Sequence, residues 1–153
     1  MFTREECKKF IDILGEELVP AMGCTEPIAI AYCAAKARDV LGCEPQRAEV
    51  AVSGNIVKNA KSVVVPHTGG MRGIKAAFAA GIVAGDADRE LQVISSVPEG
   101  MYQKIADFEQ QFPVTVSVPP EAEIFDIAVR LFGGEHTAYV RLAQDHTNCS
   151  TAP

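Results

Sequence analysis

Residues 23–27 read Gly-Cys-Thr-Glu-Pro, which sets a cysteine directly ahead of a helix start. Thr25 is placed to cap a helix beginning at Glu26 or Pro27, so that unpaired backbone N–H groups and the positive end of the helix dipole face the sulfur of Cys24. That setting lowers a thiol's pKa and favours the thiolate, which is both the nucleophile and the metal-binding form. The competing reading is a packed, inert thiol, since free cysteine is among the most buried residue types.

Two more loops carry residues suited to chemistry. Ser53-Gly54-Asn55-Ile56-Val57-Lys58-Asn59 gathers a hydroxyl, two amides and an ammonium behind a strand, where donors can converge on an anion such as a small carboxylate. An ordinary strand-to-helix turn, with Asn55 as N-cap and Lys58 solvated, explains the same residues. His67-Thr68-Gly69-Gly70-Met71-Arg72-Gly73 is glycine-rich ahead of a helix, yet it matches neither dinucleotide nor P-loop spacing. What it offers is an anion-receptive helix start beside a titratable His67, against tight helix packing around small residues.

The cysteines do not assemble into a metal site by spacing. If one helix runs from residue 26 to residue 41, Cys24 and Cys33 are separated by about 13 Å of rise and lie on opposite faces. Cys43 is farther along, Cys33 sits in the most apolar stretch, and Cys7 lies on an apolar helix face, so all three read as structural. There is no C-x-x-C pair or His-Cys ligand cluster.

The elements that must position these loops follow from hydrophobic period. Residues 3–18 open with the capping box Thr3-Arg4-Glu5-Glu6 and place Cys7, Phe10, Ile11, Leu14 and Leu18 on one face. Residues 28–41 begin with an uncharged run and close on Gly42, which predicts a largely buried helix. Residues 47–52 alternate as a half-buried strand, with a turn and short helix through Asn59 after it. A β-branched run at 62–65, a small-residue helix over 71–83, and helices near 89–95 and 99–110 come next. Residues 114–118 alternate, and 124–132 with 137–142 flank Gly133-Gly134 as a hairpin, so the end of the chain should be an antiparallel meander with its last residues frayed. The fold class is α+β in a single domain over residues 1–153: buried helices packed on a mixed or antiparallel sheet with a C-terminal β-hairpin.

Composition narrows the function classes. At 153 residues and 48% hydrophobic, the chain can bury the core of one domain. No apolar run reaches membrane length and no basic, apolar leader follows Met1, so the expectation is a cytoplasmic protein without a membrane partner. A net charge of −6, without a basic stripe interleaved with aromatics, argues against a nucleic-acid partner. Five cysteines without a secretion signal point to reduced thiols.

Together, Gly23-Cys24-Thr25-Glu26-Pro27, the segment from Ser53 to Ala60, Val65-Pro66-His67-Thr68-Gly69 and His146-Thr147-Asn148 resemble the L-cysteine desulfidase family, which is related to the iron–sulfur L-serine dehydratases. The resemblance covers nearly the whole chain but only the family's N-terminal part. It implies a [4Fe–4S]-dependent lyase that converts L-cysteine and water to pyruvate, ammonia and sulfide, with Cys24 as one cluster ligand. It further implies that Ser53, Asn55, Lys58, Asn59, Thr68 and Gly69 hold the substrate, and that His67 and His146 are candidates for the base that removes the α-proton. The cluster's remaining ligands belong to a complementary C-terminal region or separate subunit, so the chain alone is expected to be inactive and not to bind the cluster. Homo-oligomers through apolar surface left uncovered are a further expectation. Two other classes stay open: a stand-alone small-molecule or partner-binding module that keeps the fold without cluster chemistry, and a thiol hydrolase using Cys24 and His67.

Overall fold

The structure, a computed structural model, describes residues 2–17, 23–144 and 149–152. Its elements run α1 (Arg4–Glu17), α2 (Thr25–Leu41), β1 (Arg47–Val52), α3 (Gly54–Ala60), α4 (Gly73–Ala84), α5 (Tyr102–Gln111), β2 (Val114–Ser117), β3 (Asp126–Gly133), β4 (His136–Ala143) and β5 (Cys149–Ala152). Two short 3-10 segments, Ala87–Gln92 and Glu99–Met101, lie between α4 and α5. The sheet order is β2-β1-β3-β4-β5, and the class is α+β with a mixed sheet.

Period two in the strands selects one face for the core. Ala48, Val50 and Val52 of β1, Ile127, Val129 and Leu131 of β3, and Ala138, Val140 and Leu142 of β4 are all buried. Register joins them, since Val50 pairs with Val129 and Val129 with Val140, so one apolar row crosses three strands. The opposite face carries Arg47 stacked over Phe132 and Arg130 over Tyr139, which leaves it polar and half-open.

Helix α2 lies between the buried sheet face and α4, so its residues 28–35 are enclosed on every side. Its small side chains let α4 come close: a Cβ added at Gly81 would collide with the Ala31 carbonyl. At the far end Arg38 donates to the carbonyls of Ile82 at 3.0 Å and Gly85 at 2.9 Å, satisfying the open C-terminus of α4. Phe78 of α4 meets Phe108 and Phe112, which anchors α5 on the outside.

Several expectations hold in detail and others need correction. The helix ending at Gly42, the strand at 47–52 and the hairpin around Gly133-Gly134 all form. The capping box of α1 also forms, with the Thr3 hydroxyl accepting from Glu6 N–H at 3.2 Å and Glu6 Oε2 accepting from Thr3 N–H at 2.8 Å. The β-branched run at 62–65 contributes only a bridge from Val64 to Arg72, because Pro66 ends it before a ladder can grow. The helix expected near 89–95 is a 3-10 segment at 87–92. Residues 114–117 do not join an antiparallel meander: β2 pairs parallel with β1, the direction a helical crossover imposes. At the chain's end, Ala152 pairs with Tyr139 instead of fraying.

Candidate functional site

The turn before α2 is built around Glu26. Thr25 is the first helical residue and Cys24 the N-cap, with φ −62° and ψ 123° and no side-chain capping bond, so the cap expected from Thr25 does not form. Pro27 is tolerated in this first turn because its missing N–H is one a helix start leaves unpaired anyway, and its ring is buried. The Glu26 carboxylate, favoured at a helix N-terminus, turns back over the start of α2. Its Oε2 accepts from the Cys24 thiol at 3.0 Å and from the Thr25 hydroxyl at 3.4 Å, and its Oε1 accepts from Asn59 Nδ2 at 3.0 Å.

This arrangement reverses the expected state of Cys24. Burial pushes its thiol pKa up, and the hydrogen bond to Glu26 and that residue's charge push the same way. The Glu26 backbone N–H pulls it down, as the helix-start argument predicts, but is outweighed. Cys24 is therefore held as a thiol that donates to a carboxylate. Of the other cysteines, Cys33 is buried with its sulfur 3.4 Å from the Val140 carbonyl, as a structural role requires, whereas Cys43 is exposed, 3.6 Å from the Gly133 carbonyl. Cys7 is exposed on α1, where packing was expected.

The loop at 65–70 abuts the Cys24 turn. Gly23 has φ 126°, open to glycine and strained for other residues, and a Cβ there would sit 3.7 Å from Pro66. Val65 N–H donates to the Met71 carbonyl at 2.9 Å, and the buried Thr68 hydroxyl donates to the Val65 carbonyl at 2.7 Å. His67 is half-buried at φ 54° in the left-handed region, and Gly69 packs on Tyr102. A non-glycine residue in that conformation marks a loop whose shape is imposed by its surroundings.

The segment 53–59 divides. Ser53 caps α3, accepting from Ile56 N–H at 3.3 Å, and its hydroxyl donates to the Ile124 carbonyl at 2.7 Å, so its one proton is committed inside the protein. Asn59 donates to Glu26, the carboxylate that also accepts from Cys24. Asn55 instead lines a cleft of about 540 Å³ with Ser53, Pro119, Glu123 and Ile124. Lys58 is exposed on α3. Thus Cys24, Asn59 and the His67 loop are brought to one place, whereas Ser53 and Asn55 belong to another. His146 lies outside the described residues.

Two features escaped the sequence reading. Glu26 stands two residues after Cys24 in a helical first turn, and that spacing is the local signal for its contact with the sulfur. Asp126 and Arg141 form a bidentate pair at 2.9 and 2.8 Å beside a cavity of about 230 Å³ that shares Pro119 and Ala122 with the Asn55 cleft. The guanidinium holds the Asp126 carboxyl below the usual carboxylate range. Nothing in the local sequence marked this pair, because strand register sets it.

Over 91% of its length the chain is 49% identical to a UPF0597 protein of Desulfitobacterium hafniense, of which it covers 32%. A UPF0597 protein of Fusobacterium nucleatum is 43% identical over 92% of the chain and 33% of its own length. One of Treponema denticola is 54% identical over 60% of the chain and 21% of its own length. The chain is similar to UPF0597 proteins. This corrects the L-cysteine desulfidase resemblance drawn from the motifs, since these relatives carry the UPF0597 name and not a desulfidase or serine dehydratase name. The chain spans about a third of the length of the first two of these relatives. No family model matches it, and no solved structure matches it.

Proposed function

We propose that this chain supplies one wall of a small amino-acid site in a longer lyase, with L-cysteine as the substrate and pyruvate, ammonia and sulfide as products. One observation carries the reading: a single carboxylate, Glu26, ties the Cys24 turn to Asn59 while Pro66 seats the His67 loop against Gly23. Three of the four motif segments thereby meet, and the relatives' greater length leaves room for further walls of such a site.

In this reading Glu26 takes the substrate's ammonium group, Asn59 fixes the carboxylate that does so, and the exposed Lys58 is the cation for the substrate's carboxylate. Ser53 and Thr68 act as positioning residues, since their protons go to backbone carbonyls and hold the α3 start and the 65–70 loop in place. His67 is the candidate in the described part for the base that takes the α-proton. Loss of that proton with cleavage of the Cβ–S bond releases sulfide and leaves an enamine. Its imine tautomer is hydrolysed by water to pyruvate and ammonia.

A [4Fe–4S] cluster, if the complete enzyme holds one, needs about four ligands. Among the described residues no group of three or more His, Cys, Asp or Glu could hold a metal ion, and Cys24 stands there as a single sulfur ligand. The described residues do not by themselves fit such a cluster, and no step is derived through one. A second reading, in which the chain binds a small amino acid without turnover, uses the same Glu26–Asn59 arrangement.

The test is anaerobic release of sulfide and pyruvate from L-cysteine. It compares the chain alone with a chimera in which the chain replaces the matched residues of the Desulfitobacterium hafniense relative. The expected result is no turnover from the chain alone and equimolar sulfide and pyruvate from the chimera, reduced by about 100-fold or more in Glu26→Gln. Saturable L-cysteine binding without product from the folded chimera would replace the lyase with the binding module.

A further inference from the structure

Helix α1 is a 14-residue element with no buried face among its described side chains. Phe10, Ile11 and Leu14 are 50%, 66% and 52% exposed. With Cys7 they stand at i, i+3, i+4 and i+7, which is one stripe about 100° wide. An isolated helix of this length is marginal in water. The capping box and the exposed Lys9–Glu5 pair at 3.4 Å act only locally and do not replace packing. An apolar stripe left open to solvent on a marginal helix marks a contact surface.

Pairing with a second copy's α1 alone would make only a small contact. A helix of 14 residues is about 21 Å long and 10 Å wide, a footprint of roughly 200 Å², whereas a stable interface takes about 800 Å² per partner. The relatives, by contrast, carry about two thirds of their length outside the matched residues. We propose that α1 lays Phe10, Ile11 and Leu14 into an apolar groove of that remaining segment, making α1 the element that joins this chain to the rest of the longer protein. The inference rests on the preceding reading only in placing the chain within a longer polypeptide; it does not depend on lyase chemistry.

The experiment is hydrogen exchange read by mass spectrometry on the isolated chain and on the chimera with the Desulfitobacterium hafniense relative. The α1 amides should exchange rapidly in the chain alone and be slowed by about 100-fold or more in the chimera. The triple variant Phe10→Ala, Ile11→Ala, Leu14→Ala keeps helix propensity and should restore rapid exchange in α1 while α2 stays protected. Unprotected α1 in both proteins, or protection that survives the triple variant, would overturn the proposal. Protection in the isolated chain that grows with concentration, together with a dimer mass by light scattering, would overturn it in favour of a second copy. Activity is not part of the readout, so an inactive chimera with a protected α1 sinks the lyase reading and leaves this one standing.

Discussion

Helices α1 and α2 stand in opposite relations to the rest of the molecule. Both carry apolar residues at helical spacing, yet residues 28–35 of α2 are enclosed by the sheet and α4, while the described side chains of α1 face solvent. The difference is not in hydrophobicity alone, since Ile11 and Ile30 are the same residue type in the same kind of element. It lies in size: alanines around Ile28 and Ile30 let a second helix approach until only Gly81 fits against Ala31, whereas the bulky side chains of α1 stay exposed, with only Phe2 set edge-on against Phe10. Close packing comes from small residues on both partners, and a large apolar stripe waits for a groove.

The contrast can be broken experimentally. Ile30→Ala should destabilise the isolated chain by about 2–5 kcal/mol, read from the midpoint of urea unfolding, because the side chain is fully enclosed. Gly81→Ala should cost about 1–3 kcal/mol by the same measurement, since the added methyl drives α4 away from the Ala31 carbonyl. At the exposed end of α2, where burial does most to raise the Cys24 thiol, Glu26→Gln removes the carboxylate whose hydrogen bond and charge push the same way. Alkylation of Cys24 should then become faster at slightly alkaline pH, by up to about tenfold, with its pH midpoint moved down. An unchanged midpoint would mean that Glu26 does not govern the thiol. Ile11→Ala should shift unfolding of the isolated chain by no more than about 0.5 kcal/mol. A cost comparable to Ile30→Ala would show that α1 is packed and would erase the comparison.

Within the candidate site the same division between local and tertiary causes appears. Cys24 at a helix start was legible, and so was the donor-rich character of 53–59. The protonation of Cys24 was not, because it depends on where the Glu26 carboxylate folds back and on Asn59 arriving from another helix to hold it. Nor was the separation of Asn55 from Asn59 evident, although four residues is one helical turn and places both on one side of an ideal helix. Their neighbours decide it: the 119–124 loop lies along one end of α3, and α2 along the other.

By itself the sequence determined what local rules can encode: the capping box at Thr3 to Glu6, the glycine stop at Gly42, the strand at 47–52 and the hairpin around Gly133-Gly134. Each depends on residues within a few positions of one another, whose backbone preferences and period are written directly in the chain. Only the tertiary structure decided that β2 runs parallel to β1, that the last residues add a strand, that Asp126 meets Arg141 and that α1 stays uncovered. Those outcomes rest on contacts across long stretches of chain, where many pairings satisfy the same local pattern and packing selects among them.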